Sequence, residues 1–326
     1  MPLRDSKRIR GSIFIVAVWA ILLLSTLAIS LAEAVLQKIS FFQHIEAREE
    51  SRQLAESTIN SVLSELLLWQ QDGFIPKEHV RDLASLSFGN ETFKHANVRY
   101  WVTDETVKLN VNAADIEALK NLLRLKTKLN ESELGELASE IVDFRDGDDF
   151  ILNYYDKGSE KFSYERAGLA YVPKNGPLEY LGELRYVKGM TETIFKAIEP
   201  FVTVYGVSGI NLNKADYDMM TVIGITSETA SKIVSLRNGF DGREGTADDE
   251  YFSSVDQLMD RIRQEDKEVP KDIDHMYDLA ASNCFTFQPD YFKIVAEVEP
   301  LKKHAKRSRT VCIFGLKDGY RYWAET

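Results

Sequence analysis

The chain has 326 residues, 44% of them apolar and 28% charged, which excludes wholesale disorder and suits two domains or one domain with a large insertion. Its 40 basic and 51 acidic side chains give a formal charge of -11, unfavourable for a protein whose main work is gripping phosphates. Cys284 and Cys312 are the only cysteines, and neither stands at zinc-ligand spacing from a second Cys or His, so zinc fingers and Cys-dense secreted scaffolds are excluded.

From Gly11 to Ala32 there is no charged residue, and a helix of this length can cross a hydrocarbon layer of ~30 Å. Arg4, Lys7, Arg8 and Arg10 precede it and Glu33 opens a mixed-charge stretch, so the positive-inside rule places the N-terminus in the cytoplasm and exports the rest. The apolar run is longer than the ~7 to 15 residues usual in a cleaved secretory signal, which favours an uncleaved helix. No Gly or Pro occurs between Gly11 and Gly73, and Leu54, Thr58, Val62, Leu66 and Trp69 recur at helical spacing. One long helix is expected, its second half laying one apolar stripe on a sheet; a plain anchor followed by a stalk is the simpler alternative.

After a turn marked by Gly73 and Pro76, the alternation of Val98, Tyr100 and Val102 with Val107 and Leu109, broken by Asp104 and Glu105, predicts a hairpin. The alternating Phe292 to Val298, then Thr310 to Phe314 and Tyr320 to Trp323, predict further strands of one antiparallel sheet. Helical periodicity fills roughly residues 110 to 283 between them, so the expected layout is a sheet domain interrupted by a helical insertion. That insertion repeats itself. LNVNAAD at 109 to 115 recurs as INLNKAD at 210 to 216, each followed by an Ile-Val pair, an Arg and an acidic loop: Ile141, Val142, Arg145 and Asp146, then Ile233, Val234, Arg237 and Asp241. Gly189 and Gly224, in the echoing segments 187 to 191 and 222 to 226, suit left-handed turns between helices and resemble helix-hairpin-helix elements, with Thr191 and Thr226 where DNA-binding versions carry a second glycine.

The Arg-Gly-apolar start, the Asp-Glu segment leading into LNVN, GPLEYLGELRYVKGMT at 176 to 191, the INLNKAD repeat and the terminal strands, taken in order, resemble the minor pseudopilin K family of the type II secretion system. The resemblance implies an α+β fold: a pilin-like long N-terminal helix on an antiparallel sheet, with a large inserted all-α domain containing helix-hairpin-helix-like repeats. The corresponding division is a basic leader over 1–11, a transmembrane helix over 12–34, pilin-like segments over 35–109 and 284–326, and the helical insertion over 110–283. It further implies cleavage by a prepilin peptidase after Gly11, a methylated Ser12, and a non-enzymatic role at the pseudopilus tip, initiating or capping assembly with the other minor pseudopilins and the major pseudopilin. Most pilin-like subunits carry Glu at the fifth mature position, where this chain has Val16. An intramembrane carboxylate is costly without a partner, so its absence fits a subunit lacking one neighbour. Ser12 departs from the Phe or Met more usual at the first mature position.

The loop from Asp241 to Glu250 gathers Asp241, Glu244, Asp248 and Asp249 around two glycines, a set of hard oxygen ligands suited to calcium, although its spacing is not that of an EF-hand. Asp146, Asp148, Asp149 and Asp156 form a weaker counterpart; in both loops a solvated acidic turn is the bland reading. The resemblance strengthens calcium, which related members bind in their helical domain. Cys284 and Cys312 are either a bridge between C-terminal strands or two buried thiols. The five His are scattered without a nucleophile or carboxylate at telling spacing, and no nucleotide loop or nucleophile elbow occurs. Lys302, Lys303, Lys306, Arg307 and Arg309 read as a solvated basic loop. The rival to assembly is a membrane-anchored DNA receptor built on the glycine turns, with Lys188 and Lys232 beside them, disfavoured by the nearby Glu192, Glu228 and acidic loop.

Overall fold

The structure is a computed structural model describing residues 7–71, 89–93, 96–152, 159–206, 209–244, 246, 248–265, 273–301 and 307–325. Helix α1 runs from Lys7 to Gln71, 65 residues and about 97 Å. Its apolar stripe continues through Ala55, Ile59, Val62, Leu63 and Leu66, all buried. Thr58 lies on the same stripe and Leu54 packs at its margin.

The stripe rests on a five-stranded antiparallel sheet of order β1-β2-β7-β8-β9, comprising β1 (Gly89–Thr92), β2 (Ala96–Asp104), β7 (Tyr291–Pro300), β8 (Ser308–Gly315) and β9 (Gly319–Glu325). Phe292, Ile294, Ala296 and Val298 of β7 alternate onto the helix side, with Val98 and Val102 on β2 and Cys312 and Phe314 on β8. The three C-terminal strands follow the alternation of the sequence. The hairpin expected over Val98 to Leu109 does not form. Asp104 accepts a hydrogen bond from the Thr106 amide and turns the chain into a 3-10 helix, Glu105–Val107, so β2 instead pairs with β1 and β7. The turn expected at Gly73 and Pro76 lies outside the described residues.

Between β2 and β7 the chain forms helices α2 (Ile116–Lys126), α3 (Glu131–Arg145), α4 (Glu160–Arg166), α5 (Glu192–Ile198), α6 (Tyr217–Val222), α7 (Ser227–Arg237), α8 (Val255–Glu265) and α9 (Ile273–Ala281) around a second hydrophobic core that reaches from Leu109 to Phe285. The segment is not purely helical. Two short parallel ladders pair β3 (Leu109–Asn110) with β4 (Val202–Thr203) and β5 (Ile210–Asn211) with β6 (Phe285–Thr286).

These ladders are the roots of the two sequence repeats, which share one hydrogen-bond plan. Asn110 and Asn211 each accept the amide two residues on, at 2.9 and 3.1 Å. Asn112 ties down Leu178 and Val204, while Asn213 ties down Phe252 and Phe287. Asp115 caps α2 as Asp216 caps α6. Arg145 donates to the carbonyls of Val111 and Ala114, and Arg237 to those of Leu212 and Ala215. Gly189 (φ +82°) joins a 3-10 turn, Leu181–Tyr186, to α5, and Gly224 (φ +95°) joins α6 to α7. Thr191 and Thr226 occupy the N-caps of α5 and α7, which accounts for a hydroxyl residue where a second glycine would leave the cap unmade.

Candidate metal centre and exposed apolar helix

Asp143 stands in the last turn of α3 and Asp146 is its C-cap, and α4 begins at Glu160 behind its N-cap Ser159. The fold brings Asp143, Asp146 and Glu160 together, with one carboxylate oxygen from each lying within 4.8 Å of the others. Glu160 is only 1% exposed, and among the described residues neither of its carboxylate oxygens has a hydrogen-bond partner; Asp146 Oδ1 is buried and likewise unpartnered among them. Asp143 accepts the Leu152 amide on both oxygens at 3.2 Å. Burial, reinforced by neighbouring carboxylates, pushes Asp143 up to about 7 and Glu160 up to about 8, and it raises Asp146 as well. Three desolvated carboxylates with idle lone pairs form an oxygen-only donor set that fits a hard divalent cation.

Of the first-loop residues singled out in the sequence, Asp146 belongs to this group. Asp148 instead accepts the Phe150 amide and Asp149 the Lys161 amide, and both are exposed. Asp156 lies outside the described residues. Sequence reasoning missed Asp143 and Glu160. Asp143 stands inside a helix, and Glu160 lies 11 residues beyond Asp149, so only the packing of α4 against α3 brings them to the loop.

In the second loop Asp241, Asp248 and Asp249 converge on the hydroxyl of Thr246, at 3.3, 2.8 and 3.1 Å. Each also accepts backbone amides: Asp241 that of Arg243, Asp248 those of Phe240 and Asp241, and Asp249 that of Thr246. Asn238, one residue after Arg237 as Asp146 is one after Arg145, has a buried Oδ1 with no hydrogen-bond partner among the described residues. Glu244 is turned away into an ion pair with Lys214 at 2.5 Å.

The other candidates are placed as follows. Cys284 and Cys312 are free thiols, Cys312 in the core between sheet and α1, where burial pushes it up to about 12. Lys188 pairs with Glu140 at 2.5 Å and Lys232 with Glu228 at 2.8 Å, so the cations beside both glycine turns are engaged within the protein. Arg307 pairs with Glu299, while Lys302, Lys303 and Lys306 lie outside the described residues, as do His79, His95 and His304. His44 and His275 bond to the backbone carbonyls of Ser40 and Gly224.

The first half of α1 is the other unusual surface. Residues 13–46 are all exposed, Val16 and Trp19 included, and contain a window of mean hydropathy 2.6, long and apolar enough to cross a membrane. Gly11 and Ser12 lie within the same helix.

No curated protein matches the sequence. Residues 94–207 match the family model described as type II secretion system protein K. A chain of the GspK-GspI-GspJ complex from the enterotoxigenic Escherichia coli type 2 secretion system shares the fold at a TM-score of 0.53 and 15% identity, over 82% of this chain and 97% of that one. The matched segment opens at the edge of β2 and runs through the first repeat to the β4 ladder, and the long helix, sheet and interposed helices around it share the fold of the chain from the GspK-GspI-GspJ complex.

Proposed function

We propose that the protein is a minor pseudopilin of the tip complex, starting or capping a pseudopilus that serves export of folded proteins across the outer membrane. The observation that carries this reading is the division of α1: one half buries its stripe on the protein's own sheet, and the other leaves residues 13–46 bare. An exposed apolar helix of that length calls for lipid and for neighbouring helices. Prepilin peptidase cleaves after Gly11 and leaves a methylated Ser12, the helix spans the inner membrane once with its N-terminus cytoplasmic, and the globular part lies in the periplasm. The relative of like fold was solved with GspI and GspJ, which supports counterparts of those two subunits as partners here.

The role is packing, without catalysis, and the helical insertion obstructs another subunit from stacking above. Calcium is the cation proposed for Asp143, Asp146 and Glu160, and for the Asp241, Asp248 and Asp249 loop; it supplies positive charge that holds acidic segments together. Mass spectrometry of the N-terminal peptide, on protein made in its own host, tests the assembly reading. A methylated Ser12 and co-purification with other pseudopilins are expected; an intact Met1 with no such partner would overturn it.

A further inference from the structure

The seam between α3 and α4 carries two levels of polar groups. Glu140 and Asp143 are three residues apart on α3, and Glu160 and Ser163 are three apart on α4, so each pair lines one face of its helix. Asp143 and Glu160 meet at one level with Asp146. At the other, the Lys188 ammonium reaches in from the Gly189 turn, 2.5 Å from Glu140 Oε1 and hydrogen-bonded to the Ser163 hydroxyl. Its backbone amide donates to the Tyr164 hydroxyl at 3.0 Å, which fixes the turn to α4. Lys188 and Glu140 are both mostly buried, with side-chain exposures of 23% and 11%.

We propose that Lys188 is a built-in cation of this seam, one helical turn from the metal position, and that the Lys188–Glu140 pair sets how tightly the seam holds calcium. The inference rests on the calcium reading above. A fixed positive charge beside a divalent site opposes the incoming ion, and Glu140 offsets that opposition. Lys188 therefore acts as a positioning residue: it keeps α4 docked on α3 through Ser163 and Glu140, while limiting affinity at the neighbouring level.

Calcium titration of the full chain by calorimetry tests this, with Glu160→Gln identifying the binding phase that belongs to the seam. Lys188→Met should tighten that phase about five- to tenfold, Glu140→Gln should weaken it by a similar factor, and Lys188→Arg should stay within about twofold of the parent. The gap between the first two should narrow as salt rises from ~50 mM to ~500 mM, which a purely structural role would not produce. Shifts of the same sign, or none beyond twofold, would overturn the inference while leaving calcium in place. If the parent chain shows no phase sensitive to Glu160→Gln, the calcium reading at this site fails and the inference with it. Should Lys188→Met not fold, the sign of the Glu140→Gln shift alone decides.

Discussion

Asp104, the last residue of β2, accepts a hydrogen bond from Asn211 in the second repeat at 2.8 Å, although 107 residues separate them. Its other oxygen takes the Thr106 amide at 2.7 Å, and the Thr106 hydroxyl accepts the amide of Asp290 just ahead of β7. One carboxylate thus ties the sheet, the chain leaving it, and the root of the second repeat. Burial pushes Asp104 above the ordinary carboxylate range, the Thr106 and Asn211 donors pulling the other way. Asn211→Ala should cost about 1.5 to 3 kcal/mol, because it strips a donor from a buried charged acceptor. Chemical denaturation of the variant and of Asp104→Ala, with the double variant, measures the coupling; additive losses would show that the pair does not act as a unit.

The cluster of Asp143, Asp146 and Glu160 gives stability a definite dependence on pH. Asp143 and Glu160 have folded values of about 7 and about 8, both above their unfolded values. The folded state therefore holds protons that the unfolded chain has released, and the contribution, fully present below about pH 4, is lost as pH rises through 7 to 8. In chelator the melting temperature should fall between pH 6 and 9, and saturating calcium should remove most of that fall. Glu160→Gln should stabilise the metal-free protein at pH 8 and abolish the calcium response of this site. A metal-free protein equally stable at both ends of the range would contradict the burial argument.

Arg237 is 5% exposed and donates to the carbonyls of Leu212 and Ala215, closing the second repeat onto its own root. A lysine has one terminal nitrogen and no planar fork, so Arg237→Lys should retain the charge but bridge the two carbonyls poorly. A loss of about 2 kcal/mol is expected, with faster amide exchange concentrated between residues 210 and 237. Arg145→Lys should do the same in the first repeat, between residues 109 and 145. Protection lost uniformly across the chain would mean that the repeats do not open separately.

The periodicities that carried the fold were local ones. The α1 stripe, the alternation in β7 and the duplicated LNVNAAD pattern each need only a short window of sequence, and each has its counterpart in Ile59, Ile294 and the paired asparagines. What remained hidden was set by long-range packing. The alternation around Asp104 does not announce that its own side chain, accepting the Thr106 amide, ends the strand and suppresses a hairpin. Glu160 looks like any acidic residue at a helix start, and only burial beside Asp143 and Asp146 turns it into a desolvated carboxylate. Composition groups Glu244 with its acidic neighbours, whereas Lys214 of the repeat root draws it aside.

The exposed apolar half of α1 allows a sharper test of assembly than its length does. Val16 is exposed in the uncharged stretch of α1 from Gly11 to Ala32, at the fifth position counted from Ser12. A carboxylate there would cost about 2.5 to 3.5 kcal/mol at the bilayer centre, less near the interface where the side chain can reach polar groups. A neighbouring amine or arginine would recover part of that cost by pairing. Val16→Glu should therefore lower the amount of inserted protein when the chain is made alone. If a neighbouring pseudopilin presents a cation at that depth, co-expression should restore the level, and cross-linking from position 16 should trap that neighbour. Equal loss with and without co-expressed pseudopilins would mean that no partner offers a cation there, as expected for a subunit with one side of its helix facing lipid.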